Sequence, residues 1–518
     1  MLFAFAFVPN APARYDLVLA GGTIVDGSGR TGRRGDVAVR DGRIAAIGTI
    51  PRSQAARVID AAGLVVAPGF VDVHTHADAI ASHPAAENFV RMGVTTVVAG
   101  NCGTSALDVA DALSRIKDAA PAVNFATLVG HNTIRLAVVG TENRIAKPAE
   151  MARMKSLVWK AMADGAIGFS TGLQYVPGVY ARDPEIIELA HVAANAGGIY
   201  ASHMRSEGTA LEDSIADTIR VGDVTGARVQ ISHLKVDSPR SWGLSRKALA
   251  MIDAARARGI DVDADQYAYA AASSSLSIRF PGWALEGGQD RIRARLRDPE
   301  TWACIKKDMA VLLADRGLPD LSFAVVALYA PDRALTGLSM KQVAARLQGG
   351  DDADSQFEAA RDMMLAGGAT MVYHLMSDED VDRIMRHPQV AVASDSSVLV
   401  PDEGLPHPRG YGNTARVLGE YVRRRHVLSI EAAVRKMTSL PAEHFRLPGR
   451  GWIRVGYAAD LVVVDPLHVD DTATFEKPQA YPTGIPYVIV NGVPVVDAGV
   501  QGSARPGQVI AKSLIATR

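Results

Sequence analysis

Cysteine is nearly missing from this chain: two occur in 518 residues, Cys102 and Cys304. A disulfide framework is therefore excluded, and one bridge is the most that could form. Charge of one sign is missing too. The 55 basic and 56 acidic residues leave a net charge of −1, so nothing predicts a nucleic-acid partner or an anionic membrane surface. No apolar run approaches the roughly 18–20 residues of a membrane span. No Gly-rich fingerprint follows the first strand of the middle region, which argues against a nucleotide-binding sheet. Hydrophobic residues are not lacking. At 48%, with 21% charged, they suit a globular enzyme with sizeable cores and exclude disorder. The length accommodates one large α/β barrel and a smaller domain.

The chain opens "MLFAFAFVPNAPARYD". A short apolar stretch before "APA" resembles a signal peptide, but it lacks a positive start and is too short. Residues 1–14 are expected to be an extension and the protein cytoplasmic, with export left open. Residues 15–66 read as short strands, "YDLVLAGGTIVDG", "DVAVRDGRIAAIG" and "ARVIDAAGLVVAPG", alternating β-branched with polar residues and punctuated by glycine. The C-terminal region, 446–518, resumes that style, and Asn491-Gly492 is a strong hairpin signal. Both ends together predict one small β-sandwich domain.

Residues 67–445 differ. β-branched runs alternate with Ala-, Leu- and Arg-rich helical stretches: "VTTVVAG", "NFATLVG", "AIGFSTG", "GIYASH", "RVQISH", "DVDADQY" and "QVAVASD". With the strand at 70–73 they number eight, which predicts a (β/α)8 barrel of TIM type. Residues 276–369 interrupt the rhythm and read as a helical insertion placed as a lid.

Side chains at the C-terminal strand ends of such a barrel converge on its active site. The first strand ends in His74 and His76, which share a side because strand residues two apart do. The second ends in "AGNCG" with Cys102, the fifth in His203, the sixth in His233 and the eighth in Asp395. Singly, each has an ordinary explanation: a structural histidine, a small buried thiol, a helix cap. Together, five strand ends carrying imidazole, thiolate or carboxylate predict a site for zinc or a similar divalent ion.

The pattern "GFVDVHTH", a histidine after strands five and six, and an aspartate after strand eight resembles the amidohydrolase superfamily. Within it, "GNCGTS", "GHNTIR", "GFSTGLQYVPGVYA", "SHMRSEG", "ISHLK", "HPRGYG" and "LSIEAAVRKMTSLPAEHF" resemble the D-aminoacylase, or N-acyl-D-amino-acid deacylase, family. The resemblance spans nearly the whole chain outside the N-terminal tail and the insertion. It implies zinc-dependent hydrolysis of the amide bond of N-acyl-D-amino acids, a small-molecule substrate. A homo-oligomer is compatible with it. Cys102 would take the metal-bridging position and form a tight zinc site with His203 and His233. His74, His76 and Asp395 would form a weaker second site, and Asp395 would carry the proton in catalysis. Lys235, two residues after His233, would point into the same pocket if extended. With Arg409, Tyr267 and Ser273 it would bind the substrate carboxylate. His131 and Tyr175 also lie near strand ends, where packing explains them as well as substrate does.

"ISHLK" lacks the second histidine common in that family, "DQYAYAAASS" has alanine where proline is usual, and "SDSSVLVPDEG" is longer after the aspartate. Acyl and side-chain preference are therefore not carried over. A hydantoinase- or dihydroorotase-type cyclic amidase would want a lysine ending strand four, where "GAIGFSTGLQY" has none. A dipeptidase-like amidohydrolase would share the ligands and differ in its pocket. The complete ligand set argues against a non-catalytic scaffold that lost its metals.

Overall fold

The computed structural model describes residues 14–511; residues 1–13 of the expected extension lie outside them. Strands Phe70–Asp72, Val94–Ala99, Asn124–Thr127 with Val129–Gly130, Gly168–Gly172, Ile199–His203, Val229–Ile231, Val262–Gln266 and Val390–Val392 follow one another round the middle of the chain. Each pairs in parallel with its neighbour, and the third does so in two segments, one against the second strand and one against the fourth. The ring closes where Ser396–Ser397 pairs in parallel with Thr75–His76. There the Asp395 N–H also donates to the His74 carbonyl at 2.9 Å. Strands covered on both faces favour unbroken β-branched runs, and Val94–Ala99, "VTTVVA", is buried throughout.

Helices such as Val109–Ala119, Asp183–Asn195, Leu211–Thr225 and Ser245–Ala257 alternate with these strands. The first of them begins where the Asp108 carboxylate accepts the Asp111 N–H, satisfying one of the donors a helix start leaves open. Its buried face, Val109, Leu113 and Ile116, repeats at helical spacing and joins the barrel core.

The chain ends meet in one nine-stranded sheet. Val65–Pro68 and Leu461–Val464 pair antiparallel and join the N- and C-terminal parts. Alternation sorts its faces: Leu17 and Leu19 pack with Val37, Val39, Leu461 and Ile489, while Val18 and Ala20 pack with Ala38 and Ile50. Asn491 and Gly492 have φ of 47° and 82°, the two positive values a tight type I′ hairpin turn needs.

The insertion is mixed α/β and not only helical. Strands Ala272–Ser275 and Ala324–Leu328 flank Thr370–Tyr373 in an antiparallel sheet. Its helices include Pro299–Arg316 and Ala353–Leu365, and its own core holds Phe280, Trp302, Met340 and Phe357. The first strand, "ASSS", lacks β-branched and aromatic residues, so pairing and not propensity makes it a strand. Among the described residues, no helix is long and apolar enough to cross a membrane.

Candidate metal centre

All six expected ligands meet at the C-terminal mouth of the barrel. The loop after strand two brings Cys102 Sγ to 3.3 Å from His74 Nε2, 3.7 Å from His203 Nδ1 and 3.6 Å from His233 Nε2. His203 Nδ1 and His233 Nε2 are 2.7 Å apart. Asp395 Oδ1 lies 3.5 Å from His74 Nε2 and 3.2 Å from His76 Nε2. His74 thus touches both the thiol cluster and the carboxylate cluster.

This donor set fits zinc. Bonds of about 2.0 Å to nitrogen and 2.3 Å to sulfur space tetrahedral ligand atoms about 3.3–3.6 Å apart, and the sulfur–nitrogen distances here run from 3.3 to 3.7 Å. Protonation points the same way. Burial would raise the Cys102 thiol, but the charge of His74 and hydrogen bonds from His203, His233 and His74 hold it well below the usual thiol range. Burial likewise opposes ionisation of Asp395, yet Arg409 and His74 hold its carboxyl well below the ordinary value. Against that negative charge the half-buried His76 is pushed up to about 10, hydrogen bonding and charge from Asp395 and Cys102 outweighing the loss of solvent. Protonated imidazole supplies positive charge that a dication would supply instead.

Three carboxylate partners were not apparent in the sequence. Asp265, inside strand seven, accepts the His233 N–H at 2.8 Å and lies 3.2 Å from His74 Nδ1. Such a carboxylate fixes the orientation of a ligating imidazole. Glu207, four residues after His203, lies 2.8 Å from His233 Nδ1. Asp72 accepts the Ser394 N–H at 3.1 Å and ties the first strand to the eighth. The available signal was the pair Asp263 and Asp265 on a strand buried throughout, "VDADQ", where a carboxylate needs a partner.

A cavity of about 400 Å³ opens on the centre, walled by His76, Cys102, Tyr175, Ser273, Asp395 and Arg409 among others. Arg409 Nη1 stands 3.0 Å from Asp395 Oδ2. His407, also in the wall, accepts the Arg409 N–H at 3.0 Å and sits 2.9 Å from the Ala271 carbonyl, which fixes that turn. Lys235 takes another direction than an extended strand would give it. Its Nζ lies 2.5 Å from Glu207 and 2.7 Å from His233 Nδ1. Strand six ends at Ile231 and His233 has φ of 35°, so the two-residue alternation stops before Lys235. Tyr267 is buried, with Arg409 4.5 Å and Lys235 5.8 Å from its ring centre. Tyr175 packs against His203 with ring centres 4.6 Å apart and planes tilted by 52°. His131 is buried away from the cavity, against Glu185 at 2.8 Å.

A model described as the amidohydrolase family matches residues 57–299 and 314–496. The chain belongs to the amidohydrolase family. This amidohydrolase is 38% identical to a D-aminoacylase of Alcaligenes xylosoxydans xylosoxydans, over 96% of its own chain and 98% of that one. It is 37% identical to an N-acyl-D-aspartate deacylase of the same organism, over 97% and 96% of the two chains. In three dimensions it is similar to an N-acyl-D-glutamate deacylase of Bordetella bronchiseptica, solved with zinc and a phosphonate mimic of the tetrahedral intermediate. That match has a TM-score of 0.83 at 35% identity, over 96% of this chain and 100% of the other. The matched family segments run through every barrel strand of the amidohydrolase and leave out residues 300–313, within helix Pro299–Arg316 of the insertion.

Proposed function

We propose that this chain hydrolyses the amide bond of N-acyl-D-amino acids, giving a carboxylate and a free D-amino acid. The observation that carries the reading is a buried thiolate and imidazole donor set opening on a cavity that also presents Arg409. The names of the relatives supply the D configuration. Cys102, His203 and His233 would hold a tight zinc, and His74, His76 and Asp395 a weaker second ion. Zinc, when bound, polarises a carbonyl and lowers the pKa of water towards ~7.

The protein's own groups do the rest. Arg409 keeps Asp395 ionised, so its carboxylate can take a proton from the attacking water at neutral pH. Asp395 then returns that proton to the departing amine. Ser273 and Arg409 in the cavity wall would meet the substrate α-carboxylate, with Tyr267 and Lys235 behind them. Tyr175, beside His203, completes the cavity wall next to the metal ligands.

Zinc-loaded protein should turn over N-acetyl-D-amino acids and leave their L-enantiomers uncut. Turnover of hydantoins or dipeptides with no cleavage of any N-acetyl-D-amino acid would overturn the assignment.

A further inference from the structure

The sheet built from the chain ends holds one connection far longer than its strands require. Leu461–Val464 and Tyr487–Val490 pair antiparallel as neighbours, a step that about two to five residues complete. Residues 465–486 run between them instead, and they reach the barrel mouth. Asp471 accepts the Tyr269 hydroxyl at 2.7 Å. It is seated against helix Arg409–Arg416, where a Cβ on Gly412 would stand 2.0 Å from its Oδ1. Gln479 accepts the Asp402 N–H at 2.8 Å and donates to the Gly404 carbonyl at 3.1 Å. A strap from the sandwich domain thus holds the barrel and the pocket turn together.

Phe475 lies midway along that strap. Its ring is half-buried and packs on the cluster of Ala271, Ala327 and Val372. The ring centre is 5.1 Å from that of His407 and 4.8 Å from that of His374. His407 has both ring nitrogens engaged. Burial and the charge of Arg409 hold it well below the usual imidazole range, so it is neutral. Nδ1 accepts the Arg409 N–H at 3.0 Å, and Nε2 therefore carries the proton and donates to the Ala271 carbonyl at 2.9 Å. One imidazole thereby staples the turn of Arg409 to the strand of Ser273, which follows Ala271 by two residues. Tyr267 and Tyr269 wall this ring from the barrel, with centres 5.9 and 5.2 Å away. Phe475 walls it from the strap. Since Phe475 also packs on the cluster holding Ala271, it bears on both ends of the staple.

We propose that Phe475 is a positioning residue for recognition of the substrate α-carboxylate. It locks His407, and His407 holds Arg409 and Ser273 at the spacing that one carboxylate requires. The proposal rests on the deacylase reading and gives the sandwich domain a part in it. Without the ring, one wall around His407 is open, the imidazole turns away from one of its two partners, and the carboxylate clamp loosens. A misplacement of about 1 Å costs up to about 10²-fold in rate. The α-carboxylate keeps its contacts through the reaction, so their loss falls on KM.

A matched pair tests it on zinc-loaded, full-length protein: N-acetyl-D-leucine, which carries the α-carboxylate, and N-acetyl-D-leucinamide, which does not. Phe475→Ala should lower the acid-to-amide ratio of kcat/KM by about 10-fold, through the KM of the acid, with zinc per chain unchanged. Phe475→Tyr keeps the ring and should keep the ratio. His407→Asn retains an acceptor for the Arg409 N–H, loses the donor to Ala271, and should lower the ratio as well. Combined with Phe475→Ala it should add little, because both act through one staple. Where the amide is cut too slowly to measure, the inhibition constants of D-leucine and D-leucinamide give the corresponding ratio. A merely structural Phe475 would lower acid and amide alike, and that unchanged ratio overturns the proposal. Additive effects of the two substitutions, or zinc lost along with the ratio, overturn it too. If Phe475→Ala does not fold, Phe475→Leu decides between the same outcomes. A ratio near one in the unmodified protein overturns the carboxylate clamp and leaves the deacylase reading standing. No turnover of any N-acyl-D-amino acid overturns both.

Discussion

Asp395→Asn alters charge and proton capacity while leaving shape almost untouched. Asparagine tolerates left-handed backbone, and Asp395 has φ of 51°. The bond from its N–H to the His74 carbonyl, 2.9 Å, should survive, and with it the closure of the barrel. What disappears is the carboxylate 3.2 Å from His76 Nε2 and 3.0 Å from Arg409 Nη1. An amide does not accept the proton of an attacking water, so the general acid–base contribution goes, about 10²- to 10⁴-fold in rate. The middle of that range corresponds to about 4 kcal/mol of barrel-mouth catalysis. Removing one partner of a buried ion pair costs about 3–5 kcal/mol. The amide oxygen still faces the Arg409 guanidinium with its negative dipole end, so the stability loss should fall below that range. Cys102, His203 and His233 are untouched, so tight zinc should remain. The assay is kcat on an N-acetyl-D-amino acid, with zinc per chain and urea unfolding measured on the same sample. A zinc-loaded variant keeping more than about a tenth of the rate would remove Asp395 from proton transfer. A variant stripped of zinc would mean that Asp395 helps hold the tight ion.

Three further perturbations separate site from scaffold. Cys102→Ala should abolish tight zinc and activity together, because imidazoles alone remain to replace a thiolate ligand; full zinc content and full rate would exclude Cys102 as a ligand. Glu185→Gln should cost about 3 kcal/mol of stability, since it leaves Arg135 and His131 buried without their shared carboxylate; a urea midpoint unchanged from the parent protein refutes that pairing. Lys436 is held down to about 7 by burial, and a neutral amine has the two N–H donors that its two carbonyl partners, His387 and Val390, require. Its folded pKa lies below its unfolded value, so the unfolded chain binds the extra proton, and stability should rise with pH from about 7 towards 10 by about 1.4 kcal/mol per unit. Lys436→Met should lose that increment relative to the parent, and parallel pH profiles for the two proteins would refute it.

The barrel was readable because parallel strands buried on both faces leave a plain trace: "VTTVVAG" contains Val94–Ala99 and "GIYASH" contains Ile199–His203. The ligand types at their ends were readable for the same reason, since the strand fixes which end faces the mouth. Legibility stopped where the strands did. Lys235 follows His233 at strand spacing, but the backbone has already left the strand, and its amine turns to Glu207. Glu207 itself sits in a loop, where no periodicity says which way a side chain faces. The strand Ala272–Ser275 is made by its partner Thr370–Tyr373, almost a hundred residues later, and no local propensity announces it.

"AGNCG" shows how backbone conformation and chemistry are joined at this mouth. Cys102, His233 and Asp395 all have positive φ, 51°, 35° and 51°, which is uncommon for residues with a Cβ and costs of order 1–3 kcal/mol each. Each lies two or three residues past a strand end, where the chain must turn out of the barrel while its side chain stays at the mouth. The surroundings hold each one in place. Asp265 takes the His233 N–H, and the His74 carbonyl takes the Asp395 N–H. Around Cys102 the loop is pressed against the neighbouring strands. A Cβ on Gly100 would stand 2.2 Å from the Leu128 carbonyl oxygen, and one on Gly103 would stand 2.3 Å from Asn132 Oδ1. Both glycines also have positive φ, 74° and 77°. The glycines of "GNCG" are therefore needed for the close approach that puts Cys102 Sγ within 3.7 Å of three imidazoles from three other strands. Gly100→Ala or Gly103→Ala would displace the thiolate without touching a ligand, and so should weaken zinc binding in a chain whose barrel still folds.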